Sequence, residues 1–291
     1  MRAISFCCLA IITALLLGGC FSIGSDYGPK VYLPLIMPLR VATFNVRGPA
    51  NPPPNDQKSR EPRIRKIIED NQFDLFGVQE AFREMHTDHI EAMPGYARID
   101  GGNKAFKDWS RRDSIFYRTD RLELLDQGIF MLSETPEVPG SRGWDCAEAR
   151  LAVWAKFEDK VTGKIFYFYN THLDHVGKLA KLNGAALIVS HAEKNAAGCP
   201  VILIGDFNST PTSKVYAHVS SRLKDAAKIS ETPAAGPDFT FQAFGKGRPW
   251  YLDYIFVSSG INVLSHRIID TLVDGQYPSD HYPVMVEIEL K

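Results

Sequence analysis

Three observations predict an α/β fold with more than one β-sheet. Short apolar runs suited to buried strands recur eight times, two segments between them carry apolar residues at helical spacing, and neither a repeat nor a linker interrupts residues 39 to 291. The strand runs are Leu39 to Asn45, Leu75 to Gln79, Ser114 to Tyr117, Ala152 to Phe157, Ile165 to Thr171, Val201 to Gly205, Leu252 to Val257 and Tyr282 to Leu290. Arg60 to Asn71 places Ile64, Ile67 and Ile68 on one helical face, with Pro62 in the first turn. Val176 to Ala197 does the same with Leu179, Leu182, Ala186 and Val189. Both helices are expected to cover a sheet, and Asn51 to Asn55 and Thr232 to Asp238 read as loops.

A chain of 291 residues, 45% hydrophobic and 23% charged, can bury a large core. Its formal net charge of -1 argues against broad cationic attraction to nucleic acid. Residues 1 to 19 read as an export signal, with Arg2 at the start and an apolar run from Ile4 to Leu17 that is short for a membrane span. Leu17-Gly18-Gly19-Cys20 resembles the lipobox of bacterial lipoproteins. That resemblance implies cleavage before Cys20 and a lipid on its sulfur, which would anchor the chain to a bacterial membrane, at the outer membrane or cell surface. The other reading is a plain secretory signal with Cys20 incidental. Both place the chain outside the cytoplasm.

Residues 20 to 38, with Gly24, Gly28, Pro29, Pro34 and Pro38, read as a tether, and residues 39 to 291 as one domain. Only Cys146 and Cys199 remain after the signal, too few for a disulfide framework, and two buried thiols are expected rather than a bridge.

Several apolar strands end in polar residues: Asn45, Gln79-Glu80, Thr171-His172-Leu173-Asp174 and Gly205-Asp206-Phe207-Asn208, while Ser279-Asp280-His281 precedes the last strand. Five such ends imply one convergent site at a sheet edge. The oxygen donors Asn45, Glu80 and Asp280 suit magnesium, since zinc prefers more histidine or cysteine. A phosphoryl group attacked in line gathers negative charge, which metal, histidine and asparagine donors stabilise, while Asp206 can orient or deprotonate the attacking water. Each piece alone is weak, because a strand-terminal Asn or Asp is more often a turn former. The ordered set is specific.

That set resembles the endonuclease/exonuclease/phosphatase superfamily, on Thr43-Phe44-Asn45-Val46-Arg47, Val78-Gln79-Glu80, Ser114-Ile115-Phe116-Tyr117-Arg118, Thr171-His172-Leu173, Gly205-Asp206-Phe207-Asn208-Ser209-Thr210-Pro211, Leu252-Asp253-Tyr254-Ile255-Phe256 and Ser279-Asp280-His281-Tyr282-Pro283-Val284. The resemblance implies a deoxyribonuclease I-like, four-layer sandwich of two packed β-sheets flanked by helices, with residues 39 to 291 as the catalytic domain. It implies that Glu80, with Asn45 and Asp280 nearby, holds magnesium, for which manganese can substitute. Asp206 would handle the water, Asn208 and His172 would grip the phosphate, and His281 would be a second histidine kept cationic by Asp253. One position departs from the pattern. Arg111 stands where many members carry a glutamate that supports the first histidine, so either Asp113 takes that role or His172 is held differently.

The substrate is less legible. Tyr254 stands where inositol polyphosphate 5-phosphatases carry arginine, and Ser209-Thr210-Pro211 and Arg142-Gly143-Trp144-Asp145 look more like the nuclease and deadenylase branches. A phosphodiesterase acting on nucleic acid, nucleotide or lipid headgroup is therefore expected. Sphingomyelinase-like action, sugar or inositol phosphatase action and a non-catalytic surface binding module are the alternatives. Arg111 and Arg112 are candidates to meet substrate phosphate, and Trp144 and Trp250, with Trp109 and Phe244, to stack on bases or sugars. A monomer is the expected state.

Overall fold

Each of the two sheets is organised around one βαβ unit, because a parallel strand pair needs a long crossover that a helix supplies. In the first unit β1 (Leu39–Asn45) runs through α1 (Gln57–Asn71) to β2 (Leu75–Gln79), and β1 and β2 pair in parallel. After α2 (His86–Glu91) come β3 (Tyr96–Ile99), β4 (Ile115–Arg118), β5 (Leu122–Met131) and β6 (Leu151–Asp159). The second unit runs from β7 (Lys164–His172) through α3 (Lys178–Ala196) to β8 (Val201–Asp206), again parallel. The chain closes with α4 (Lys214–Ser220), β9 (Lys224–Asp225), α5 (Ala226–Ile229), β10 (Asp253–Val257), β11 (Ile261–Ile268) and β12 (Val284–Leu290).

Within Pro38–Lys291 the two sheets described have six strands each, in the orders β9-β10-β8-β7-β6-β5 and β11-β12-β1-β2-β4-β3. Val41, Leu75, Ile115 and Val286 of one sheet meet Val153, Phe168, Ile204 and Ile255 of the other in a shared buried core. On the outer faces, α3 residues such as Ile188 and Val189 pack with Leu203 and Phe256, and α1 residues Ile64, Ile67 and Ile68 pack with Phe44 and Phe76. The result is the expected four-layer sandwich.

The computed structural model describes residues 37–49, 51–81, 86–99, 104–106 and 112–291, with the backbone of Ser22–Ile23 and Val31–Tyr32, which pair antiparallel. The export signal, Cys20, Trp109 and Arg111 lie outside the described residues, as does most of the tether. The chain divides into two compact units, Met1–Met37 and Pro38–Lys291. Among the described residues, no helix is long and apolar enough to cross a membrane.

Helix α1 begins three residues before its expected start. Asp56 caps it by accepting from the Ser59 backbone N–H at 3.2 Å, so Pro62 falls in the second turn rather than the first. Cys146 and Cys199 are free thiols, and both are half-buried rather than buried.

Candidate active site

The parallel pairs put their C-terminal ends at one edge of the sandwich. Asn45 registers beside Gln79, Asp206 registers beside His172 on one side and Asp253 on the other. Gly205 makes this register possible: its φ is +147°, and a Cβ there would lie 2.0 Å from the Thr171 carbonyl oxygen. Glu80 leaves β2 in the left-handed region, with φ of 59°, which turns its side chain off the strand. A pocket of about 370 Å³ results, lined by Arg47, Glu80, Glu148, Arg150, His172, His175, Asp206, Asn208, Phe241, Leu252, Asp280 and His281.

The Asn45 amide nitrogen ties the two sheets together by donating to Glu80 Oε1 at 3.2 Å and to Asp206 Oδ2 at 3.0 Å. Glu80 Oε2 accepts from the Gly48 N–H at 2.8 Å. Burial alone would raise the Glu80 carboxyl, but that N–H and the Arg47 charge outweigh it and hold it below its ordinary value. The Arg47 guanidinium lies 3.6 Å from Glu80 Oε2 and 3.5 Å from Asp280 Oδ2. Two carboxylates thus face a single cation.

On the other side of the pocket His281 Nδ1 donates to Asp253 Oδ2 at 2.8 Å, and the same oxygen accepts from Thr240 Oγ1 at 2.5 Å. Burial opposes charge on His281, but Asp253 and then Asp206 outweigh it and push the imidazole up to about 10. Its Nε2 lies 3.7 Å from Asp206 Oδ2. Burial and the neighbouring Asp253 raise the Asp206 carboxyl, against the His281 charge. His172 behaves oppositely: burial, then the Arg150 charge, drives it well below its ordinary value, and its neutral Nε2 accepts from Asn208 Nδ2 at 2.9 Å. Asn208 also donates to the Leu173 carbonyl at 3.0 Å, so its amide hydrogens fix the histidine loop.

These contacts bring together eight of the residues singled out in the sequence: Asn45, Glu80, His172, Asp206, Asn208, Asp253, Asp280 and His281. Arg112 reaches the pocket rim indirectly, through an ion pair of 3.1 Å with Glu148. Asp113 is buried, and burial pushes its carboxyl up to about 7 despite the Arg150 charge. The contact that holds His172 Nε2 comes from Asn208 instead. Trp144 and Trp250 do not border the pocket: Trp144 donates its backbone N–H to Glu134, and Trp250 lines a neighbouring cavity.

Residues given no role from sequence complete the walls. Arg150 Nη2 lies 3.2 Å from His175 Nδ1, and Phe241 meets the His281 ring edge-on at 5.0 Å. His175 follows His172 by three residues and Arg47 follows Asn45 by two, so proximity to the motifs was the available signal. Nothing in sequence marks Phe241, which reaches His281 only through an isolated strand bridge.

Among the described residues, two groups have the chemistry to hold a divalent ion. The ligand atoms of Asp206, Asp253 and His281, all buried, lie within 4.8 Å of one another. A cationic His281 whose Nδ1 already donates to Asp253 is nevertheless a poor ligand. Glu80 and Asp280, which already share one cation in Arg47, fit a hard ion better and leave His281 to its ion pair.

A profile of the Endonuclease/Exonuclease/phosphatase family matches residues 42–281. The chain belongs to this family. A family member from Bacteroides vulgatus is 35% identical, with 87% of this chain and 99% of that chain covered and a TM-score of 0.79. A mannosyl-6-phosphatase from Bacteroides thetaiotaomicron is also 35% identical, covering 87% of this chain and 100% of that chain at a TM-score of 0.78. The human nocturnin catalytic domain, solved with a bound sulfate anion, is 22% identical over 88% of this chain and 94% of that one, with a TM-score of 0.67; it shares the fold. Family membership makes the chain a hydrolase of phosphoester bonds.

Proposed function

We propose that the chain is a divalent-metal-dependent phosphomonoesterase acting on a small phosphorylated sugar. The observation that carries this reading is the pocket itself. It holds about 370 Å³, and its rim of Glu148, Arg150 and His175 offers hydrogen-bonding groups, with Phe241 as the one Phe, Tyr or Trp ring in the lining. The similarity to a mannosyl-6-phosphatase, over 87% of this chain, supports the same reading. Trp144 and Trp250, the residues expected to stack on bases or sugars, do not border this pocket.

In this mechanism Glu80 and Asp280, with the Asn45 amide beside them, would hold magnesium, or manganese in its place. The ion supplies charge neutralisation on the phosphoryl oxygens. Arg47 and the cationic His281 bind the same phosphate, and His281 keeps its proton because Asp253 accepts from the other ring nitrogen. Asp206, whose carboxyl is raised by burial and by Asp253, accepts the proton of the attacking water as the bond from phosphorus to the sugar oxygen breaks, and that oxygen takes its proton from solvent. Neutral His172, held by Asn208, orients the water or the leaving oxygen. Arg150 and His175 take hydroxyls of the sugar.

The deciding experiment incubates the protein with hexose 6-phosphates, bis(p-nitrophenyl) phosphate, an oligonucleotide and sphingomyelin vesicles, with magnesium, manganese or chelator. Metal-dependent phosphate release from hexose phosphate and intact diesters are expected. Diester cleavage without monoester turnover would return the function to a phosphodiesterase. No turnover by folded protein would leave a binding module. We also propose that the chain is exported and lipidated on Cys20, which labelled palmitate incorporation tests, with loss in Cys20→Ser expected.

A further inference from the structure

Beside the phosphate pocket lies a larger cavity of about 590 Å³, within the range of roughly 300–1,000 Å³ common for small-molecule sites. The two share a wall. Phe241 and Leu252 face the phosphate pocket, while Phe239, Trp250 and Tyr251 of the same two chain segments face the cavity. The Phe241–Trp250 bridge joins those segments.

The lining of this cavity has a definite chemistry. Trp250 is 40% exposed, a large indole left at the surface, with the Arg248 guanidinium 4.6 Å from its ring centroid. Asp238 and Lys228 are exposed at the cavity, and Asp225 is buried in its wall. His266 is 3% exposed, and its Nδ1 has no hydrogen-bond partner; nor does the buried Tyr251 hydroxyl. A buried polar atom left unpaired costs about 1–3 kcal/mol, so a ligand that partners these groups is favoured.

Charge decides the ligand class. Asp225 and Asp238 are balanced by Lys228 and by the Arg248 guanidinium on Trp250, and burial holds His266 below its ordinary value, so the cavity offers no net positive charge to a second phosphate. A ligand with an apolar ring face for the indole and several hydroxyls for the carboxylates and the lysine is a neutral carbohydrate. We propose that this cavity is a neutral-sugar site, separate from the phosphate pocket, that holds a sugar ring remote from the phosphate. That the bound ring belongs to a phosphate-bearing ligand rests on the proposed function; the binding of a neutral sugar in the cavity does not.

The test titrates the full-length protein with mannobiose, maltose and cellobiose, following tryptophan fluorescence and calorimetric heat, with and without inorganic phosphate. Saturable binding of at least one disaccharide is expected, weakened about tenfold or more in Trp250→Ala and in Asp238→Asn. Phosphate leaves this binding in place, and Asp238→Asn leaves hydrolysis of p-nitrophenyl phosphate unchanged. Absence of binding by any of the three sugars overturns the proposal. Competition by phosphate, or full binding in both variants, would also overturn it by placing the sugar elsewhere. Loss of phosphatase activity in the parent protein would bear on the proposed function alone, because the binding readout needs no turnover.

Discussion

Asp206 and His281 sit at the centre of the site, where burial acts on both and the same neighbour, Asp253, then raises both. Replacing Asp206 by Asn keeps its shape but turns one of its two accepting oxygens, which take Asn45 Nδ2 and the Asn208 N–H, into a donor, so the thermal midpoint is measured beside the rate. The kcat falls by about a hundredfold to ten-thousandfold, the range for a lost proton acceptor. His281→Ala removes the cation and gives a loss of similar size, with circular dichroism reporting the fold. Equal turnover in either variant would remove these residues from the mechanism. Glu80→Gln separates metal binding from chemistry: the magnesium concentration for half-maximal activity rises about tenfold or more, measured by titration into metal-stripped protein. An unchanged titration would shift the ion to Asp206, Asp253 and His281, the other group with suitable spacing.

At the scale of elements, local patterning made the βαβ cores legible and left the sheet edges hidden. Leu39–Asn45, buried at every position but Arg40, and Leu75–Gln79, buried throughout, are short segments dominated by apolar residues on both faces, and they form strands with those bounds. Strand β5 was missed because it is an edge strand, with Leu125 exposed and a register shift between Leu124 and Asp126. Gly128 in it reads as a turn signal, yet a Cβ there would lie 2.4 Å from the Trp154 indole nitrogen, so close packing requires the glycine. Strand β11 was missed for a related reason: a bulge between Val263 and Ser265 breaks its alternation and turns His266 inward. Burial lowers the His266 imidazole from 6.5 to about 4, so the unfolded chain takes up a proton first as pH falls. The stability of the neutral-pH protein is intact above 6.5 and lost between 6.5 and 4, by about 2 kcal/mol at pH 5. Urea midpoints of His266→Gln are therefore expected to drop less between pH 7 and 5 than those of the parent; equal drops would mean that other groups set the acid response. Helix α1 carries a second hidden device. Arg60 is fully buried and donates to the carbonyls of Asn55, Val46, Arg47 and Gly48, which fixes the loop whose Gly48 N–H holds Glu80. Arg60→Met strands those carbonyls and costs on the order of 3 kcal/mol in urea unfolding, with weaker magnesium binding.

The whole molecule matters to the site because the site is split between the sheets. Asn45, Glu80, Asp280 and His281 belong to one sheet or its flanking loops, and His172, Asp206, Asn208 and Asp253 to the other. The ordered motifs made each half readable in the sequence, but the distance between halves depends on how two sheets seat, which no local pattern encodes. A buried polar bridge sets that seating. Asn170 of β7 donates to the carbonyls of Val78 and Ser114 at 3.0 and 3.1 Å, and accepts from Gln79 Nε2 at 2.7 Å. Between apolar layers such directional bonds fix one register where hydrophobic contact alone tolerates several. Asn170→Leu keeps the bulk and removes three buried hydrogen bonds between the sheets, for a cost of about 2–4 kcal/mol in urea unfolding. If the bridge only stabilises the fold, the variant retains kcat at temperatures where it is folded. If it aligns the half-sites, kcat falls about tenfold or more in fully folded protein, because a shift near 1 Å between catalytic groups is enough. The second outcome is expected, since Gln79, which bonds Asn170, adjoins Glu80 in the chain.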